Sequence, residues 1–250
     1  MTALLETCDL NKDFGGLLVT RNVNFSLEAG ARHALIGPNG AGKTTFINLL
    51  TGKEKPSSGT ILLGGEDIGT LPTDRRVRKG LVRTFQINQL LTGLSVLENV
   101  QLAVLERDRQ GWRMLPSRTG QRRAAEEAYA LLMELGLDDV ALSRVASLPY
   151  GRQRLVEVVV ALALKPKVLL LDEPAAGVPP ADSVRMLQLI DDLPKDIAIL
   201  IIEHDMNLVF RFAQKITVLA QGAVLCEGTP DEIVANPQVQ AVYLGNRAHG

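Results

Sequence analysis

The stretch "GPNGAGKTT" at residues 37–45 constrains this chain more than any other, because such a loop works only between a strand and a helix. It matches G-x-x-x-x-G-K-[ST], and it sits in that setting. "RHALIG" is β-rich before it, and helical periodicity begins near Lys43. Gly37, Pro38, Asn39, Gly40, Ala41 and Gly42 form a loop whose backbone amides can converge on phosphate oxygens. The helix that follows adds the positive end of its dipole. Lys43 is placed to neutralise β- and γ-phosphates, Thr44 to offer its hydroxyl to Mg²⁺, and Thr45 to extend the amide cradle. The dinucleotide fingerprint G-x-G-x-x-G has a different spacing.

A second motif completes the chemistry. "VLLLDE" at 168–173 reads as a buried strand that delivers Asp172 to the carboxyl edge of a sheet, where a cation would be held. Glu173 follows and is placed to polarise a water for attack on the γ-phosphate. Together the two motifs predict hydrolysis of a nucleoside triphosphate with Mg²⁺ as cofactor.

The rest of the chain supports a sheet around that loop. Residues 1–65 read as short strands and turns with one helix. Residues 87–165 read as helical almost throughout. After 166 strands and helices alternate, which predicts a buried, mostly parallel sheet. "SVLENV" carries a capping-box pattern, Ser95 with Glu98. "GQRRAAEEAYALLMELGL" places Ala125, Ala128, Leu132 and Leu135 on one helical face, with Gly136 as a stop. The expected fold is an α/β core built from 1–86 and 166–250, with a helical subdomain at 87–165 inserted between them.

Net charge is −1, so nothing global attracts the chain to nucleic acid or an anionic membrane. The basic runs "DRRVRKGLVR" at 74–83 and "RDRQGWRMLPSRTGQRR" at 107–123 are expected to be solvated faces. Two cysteines exclude a disulfide framework and a zinc site. No export signal is expected at "MTALLETCDL", and no apolar run reaches the ~18 residues of a membrane span. An intracellular chain that reaches a membrane only through a partner is expected.

The order of these motifs resembles the ATP-binding cassette family along essentially the whole chain: phosphate loop, helical insert, "LPYGRQRL" at 148–155, "VLLLDEP", and "AILIIEHD". The resemblance implies ATP as the nucleotide and a P-loop NTPase (RecA-like) core with an N-terminal antiparallel β subdomain. It also assigns roles. Gln86 in "VRTFQ" resembles the glutamine that touches Mg²⁺ and the attacking water and links to the membrane partner. His204 resembles the switch histidine on the γ-phosphate, and Phe14 in "NKDFGG" the aromatic that stacks on adenine. The octet "LPYGRQRL" occupies the signature slot, usually L-S-G-G-Q, whose helix N-terminus faces the nucleotide of a second subunit. Here Pro149 replaces the serine, Tyr150 the first glycine and Arg152 the glutamine, while Gly151 remains. Pro179 stands where the following D-loop commonly has aspartate.

Within that family, "VRTFQ", "LSVLENV", "DEPAAGV" and "PQVQAVYLG" most resemble the ATPase subunits of branched-chain (hydrophobic) amino-acid importers. Implied partners are membrane permeases, a second cassette ATPase in a heterodimer and, indirectly, a solute-binding protein. The implied location is peripheral, on the cytoplasmic face of the inner membrane. Lipopolysaccharide-export ATPases share a similar tail but usually keep the signature serine and glycines. A nucleic-acid or ribosome-associated cassette would carry a long coiled coil or a second phosphate loop, and neither is present.

Overall fold

The computed structural model describes residues 3–84, 90–109 and 118–245. In chain order the elements are β1 (Ala3–Phe14), β2 (Leu17–Glu28), β3 (Arg32–Ile36), α1 (Lys43–Thr51), β4 (Ser58–Leu63), β5 (Glu66–Asp67), α2 (Thr73–Arg78) and β6 (Leu81–Arg83). Three helices follow, α3 (Val96–Arg107), α4 (Arg118–Glu134) and α5 (Tyr150–Ala163). Then come β7 (Val168–Asp172), α6 (Pro180–Asp191), β8 (Ala198–Ile202), α7 (Met206–Phe212), β9 (Lys215–Ala220), β10 (Ala223–Gly228), α8 (Pro230–Ala235) and α9 (Pro237–Gly245). No helix among the described residues is long and apolar enough to cross a membrane.

The chain divides into two compact units. One takes in residues 1–83, 167–174 and 191–250, the other 84–166 and 175–190. The first unit contains both sheets. An antiparallel sheet runs β2-β1-β4-β5, and a six-stranded sheet runs β10-β9-β3-β8-β7-β6. In the latter, β9, β3, β8, β7 and β6 are mutually parallel, and only β10 is antiparallel to its neighbour. The uninterrupted apolar runs in β7 and β8 follow from this, because every residue of those strands is buried. Helix α1 buries Phe46, Ile47, Leu49 and Leu50 in a cluster shared with Leu5, Phe25 and Ile61 of one sheet and Leu35, Leu170 and Leu200 of the other. The phosphate-loop helix is thereby fixed to both sheets.

The first basic run is not uniformly solvated. Arg76 is 1% exposed and donates from its guanidinium to the carbonyls of Leu49 (2.6 Å), Leu50 (2.7 Å), Gly69 (2.9 Å) and Leu71 (2.9 Å). The first two are carbonyls of the last turn of α1, which has no basic residue of its own there. Burial pushes the Arg76 guanidinium down to about 10, still charged at neutral pH. Arg83, in the same run, is also largely buried. Charge density alone did not separate these two from Arg75 and Arg78, which are exposed.

In the helical unit, Ser95 and Glu98 form the expected capping box on α3. The buried stripe of α4 is Ala124, Ala128 and Leu132, continued by Leu135 just past its end, with Ala124 in place of the expected Ala125. Successive i+4 steps back from Leu132 select Ala124. Arg107 grips both carboxylate oxygens of Glu127 (2.7 and 2.9 Å) and the Ala163 carbonyl (2.9 Å), tying α3 to α4 and α5. Its hydrogen bonds hold Glu127 well below the usual carboxylate range.

A polar chain links β3, β9 and β10 through His33, Thr217 and Glu227. Thr217 Oγ1 donates to Glu227 (2.6 Å), so the 2.8 Å contact with His33 Nε2 requires the imidazole to donate to the threonine. Burial pushes His33 down to about 4, with Lys215 lowering it and Glu227 opposing. The unfolded chain takes up this proton near the ordinary value of 6.5, and the folded chain only near 4. Stability is therefore complete above about pH 6.5 and falls as pH drops toward 4, by up to ~3 kcal/mol. Urea unfolding of the parent and of His33→Gln at pH 7 and pH 5 checks this. The parent should lose more stability between the two pH values than the variant does.

Candidate active site

The site is organised by strand order. Because β3, β8, β7 and β6 are parallel and consecutive, whatever follows each strand emerges at one edge of the sheet. Gly37 follows β3, His204 lies just past β8, and Asp172 ends β7 with Glu173 after it. Register fixes their level: Asp172 pairs with Ile202, and the Glu173 amide donates to the Ile202 carbonyl (2.9 Å). Gln86, three residues past β6, lies outside the described residues.

The phosphate loop is held from behind. Any Cβ at Gly37 would stand 2.3 Å from the Leu219 carbonyl oxygen, so only glycine allows the loop to leave β3 along this path. Gly222, in the β9–β10 turn, donates its amide to the Ala41 carbonyl (3.0 Å) and accepts from the Arg21 amide (2.7 Å). Lys43 Nζ donates back to the carbonyls of Gly37 (2.6 Å) and Pro38 (3.1 Å), curling the loop around its own ammonium. Burial lowers the Lys43 pKa, opposed by the nearby carboxylates of Glu173 and Asp172. Lysine and acid pair therefore sit within electrostatic reach. Gly42 caps α1 in a left-handed backbone with no side-chain cap hydrogen bond. Thr44 is exposed there, with Thr45 half-buried beside it.

This arrangement fits a phosphate chain and a hard cation. The N-cap Gly42 makes no side-chain cap hydrogen bond, Thr44 at the start of α1 is exposed, and the Asp172 carboxylate acts electrostatically on Lys43. Mg²⁺ characteristically takes one or two such ligands and completes its shell from phosphate and water. Among the described residues no cluster of three or more His, Cys, Asp or Glu could hold a metal without a nucleotide. Glu173 has φ +46, a left-handed backbone unusual for glutamate and of the kind that collects at reacting centres. His204 is 68% exposed, with Nδ1 3.8 Å from the buried Glu203 carboxylate. Phe14 is exposed beside the β1–β2 turn, and the Lys12 ammonium lies 4.6 Å from its ring centroid.

The signature octet belongs to the helical unit. Pro149 caps α5 without a side-chain hydrogen bond. Arg152 is engaged by Asp139 (2.6 Å). Tyr150 packs its ring on the D-loop, where a Cβ at Gly177 would lie 3.2 Å from Tyr150 Cε1, and Gly177 has φ +73. Sequence reasoning missed this contact, as it missed Arg83 and Gly222. The signal available was the co-occurrence of a bulky residue in the signature with a glycine in the D-loop.

A strand-borne phosphate loop, an acid pair two strands away and a histidine on the strand between them define a P-loop nucleotide-binding cassette. The chain belongs to the ABC transporter family, which it matches over residues 20–176. Residues 223–249 match the branched-chain amino acid ATP-binding cassette transporter family. The chain is 41% identical to the high-affinity branched-chain amino acid transport ATP-binding protein LivG of Escherichia coli, covering 97% of this chain and 98% of that one. The corresponding BraF protein of Pseudomonas aeruginosa is 40% identical with the same coverage. A probable LivG protein of Archaeoglobus fulgidus is 38% identical over 97% and 95% of the two chains. Among solved structures, the ADP conformation of an ATP-binding cassette of an ABC transporter superposes with a TM-score of 0.87. It shows 29% identity and covers 98% of this chain and 100% of the other.

The Tyr150–Gly177 contact makes a testable demand. Gly177→Ala should destabilise the fold by ~1–2 kcal/mol, part from the left-handed backbone and part from the ring. In a Tyr150→Ala background the same change should cost less, because only the backbone part remains. Chemical denaturation of the four proteins gives the coupling directly.

Proposed function

We propose that this chain is the ATP-hydrolysing subunit of an importer for branched-chain or related hydrophobic amino acids. What supports the reading most is the grouping of Lys43, Asp172 and Glu173 at one sheet edge, in a chain similar along nearly its whole length to such subunits. The triphosphate lies on the amides of residues 37–45, and Phe14 stacks on the adenine. Lys43 exchanges the Gly37 and Pro38 carbonyls for β- and γ-phosphate oxygens. Thr44 and Asp172, with Gln86, would hold a Mg²⁺, which would supply neutralisation of charge on the phosphate oxygens. Glu173 accepts the proton of the attacking water, an effect worth about 10²- to 10⁴-fold in rate. His204 donates to the γ-phosphate as negative charge grows there.

The partners follow from the same reading. Permease subunits dock near Gln86, and the protein sits peripherally on the cytoplasmic face of the membrane that holds them. A solute-binding protein delivers cargo to those permeases. A second cassette ATPase faces this one, each contributing its signature to the other's nucleotide. Pro149 has neither hydroxyl nor backbone N–H, so the signature of this chain offers a facing phosphate fewer donors. Arg152, held by Asp139, must leave that pair to compensate. The heterodimer confines this weakness to one of the two composite sites.

Lys43→Ala should abolish productive ATP binding, while Glu173→Gln should keep binding and lose at least ~100-fold in turnover. Equal turnover in Glu173→Gln and the parent would remove the general-base role. The isolated protein should be a slow ATPase that accelerates when the second ATPase and the permeases are reconstituted in liposomes. Fast cooperative hydrolysis by the isolated chain, unchanged by Pro149→Ser, would exclude the heterodimer argument.

A further inference from the structure

Arg83 ends β6 with a side chain only 11% exposed, beside an Asp172 side chain that is 9% exposed. One guanidinium nitrogen, Nη2, donates to Asp172 Oδ2, and the other, Nη1, donates to Asn48 Oδ1 at 2.8 Å. Asn48 lies on α1, the helix that opens at Lys43. One planar group therefore ties together three parts of the sheet unit: the end of β6, the acid at the end of β7 and the helix of the phosphate loop. The fork is rigid, so fixing one nitrogen on Asn48 also fixes the direction from which the other meets the carboxylate.

Two consequences follow for Asp172. With Oδ2 occupied by the guanidinium, the carboxylate is pinned in rotation and presents Oδ1 as its second donor. A carboxylate this buried also needs a paired positive charge beside it, and Arg83 supplies one. The charges balance as well: Lys43 and Arg83 against Asp172 and Glu173. Without Arg83 the site would carry one net negative charge toward an incoming polyphosphate.

We infer that Arg83 is the positioning residue of the cation site, holding Asp172 by Oδ2 through a brace on Asn48 so that Oδ1 would be the oxygen offered to Mg²⁺. It never touches the reacting atoms. This rests on the reading of Asp172 as a cation ligand, and the experiment separates the two claims. Binding of a fluorescent ATP analogue is measured with Mg²⁺ and with excess chelator, all in the Glu173→Gln background so that the nucleotide persists. The ratio of the Kd in chelator to the Kd with Mg²⁺ reports how much the cation contributes through the protein.

Arg83→Ala should lower that ratio by about 10- to 100-fold, the usual effect of removing a group that orients a metal ligand. Arg83→Lys keeps the charge but cannot span Asn48 and Asp172 together, so it should restore only part of the loss. Asn48→Ala should shift the ratio in the same direction by less. Asp172→Asn serves as the reference. If it collapses the ratio while Arg83→Ala and Arg83→Lys leave it within twofold of the parent, the positioning role is overturned and the cation ligand stands. If Asp172→Asn leaves the ratio intact, the assignment of the cation to Asp172 itself fails. Should Arg83→Ala not fold, Arg83→Lys and Asn48→Ala carry the test, and an unchanged ratio in both overturns the inference.

Discussion

The phosphate loop depends on how closely its backbone approaches the chain behind it. Residues 37–42 leave β3 against the Leu219 carbonyl, and the Ala41 carbonyl takes the Gly222 amide from the β9–β10 turn. That turn in turn accepts from Arg21 of β2, so Gly222 links the antiparallel sheet to the loop. These approaches have no room for side chains. The loop is shaped by packing of backbone on backbone, and its amides are held in place before any phosphate arrives. Electrostatic groups held in advance cost no reorganisation when charge appears between them, the condition under which they stabilise a transition state most.

The acids are positioned by a different device. Parallel pairing puts the ends of β7 and β8 level, so Asp172, Glu173 and His204 emerge together without needing any specific side-chain contact. Fine orientation then comes from groups one layer out, Arg83 on Asp172 and the Ile202 carbonyl on the Glu173 amide. A positive φ at Glu173 is tolerated because that hydrogen bond and the buried strand before it fix the turn. Arg76 performs an analogous task at the far end of α1, where it closes the carbonyls of the last turn.

The helical unit shows how a departure in one motif is accommodated by another. Tyr150 fills space at the start of α5, and Gly177 leaves the space that the ring takes. Neither residue explains the other until the two segments, more than twenty positions apart, are seen in contact. The altered signature is therefore a packed arrangement with its own geometry. Arg152 likewise has a partner in Asp139, which a reading of the octet alone could not supply.

Local patterns made the α/β class, the strand–loop–helix at 37–45, the acid pair after a buried strand, and the cap of α3 legible from sequence. Each of these depends on residues within one or two turns of each other, and their physics is local: periodicity, glycine freedom, capping, and the need of a triphosphate for amides, a lysine and a carboxylate. Tertiary structure decided what long-range contact decides. Arg76 and Arg83 sit in a run that reads as solvated, and only their partners on α1 and β7, as many as 89 residues away, draw them inward. The same holds for Gly222 behind the loop and for Gly177 under Tyr150. A charge or a glycine in a sequence states what it can do, and burial with a distant partner determines what it does.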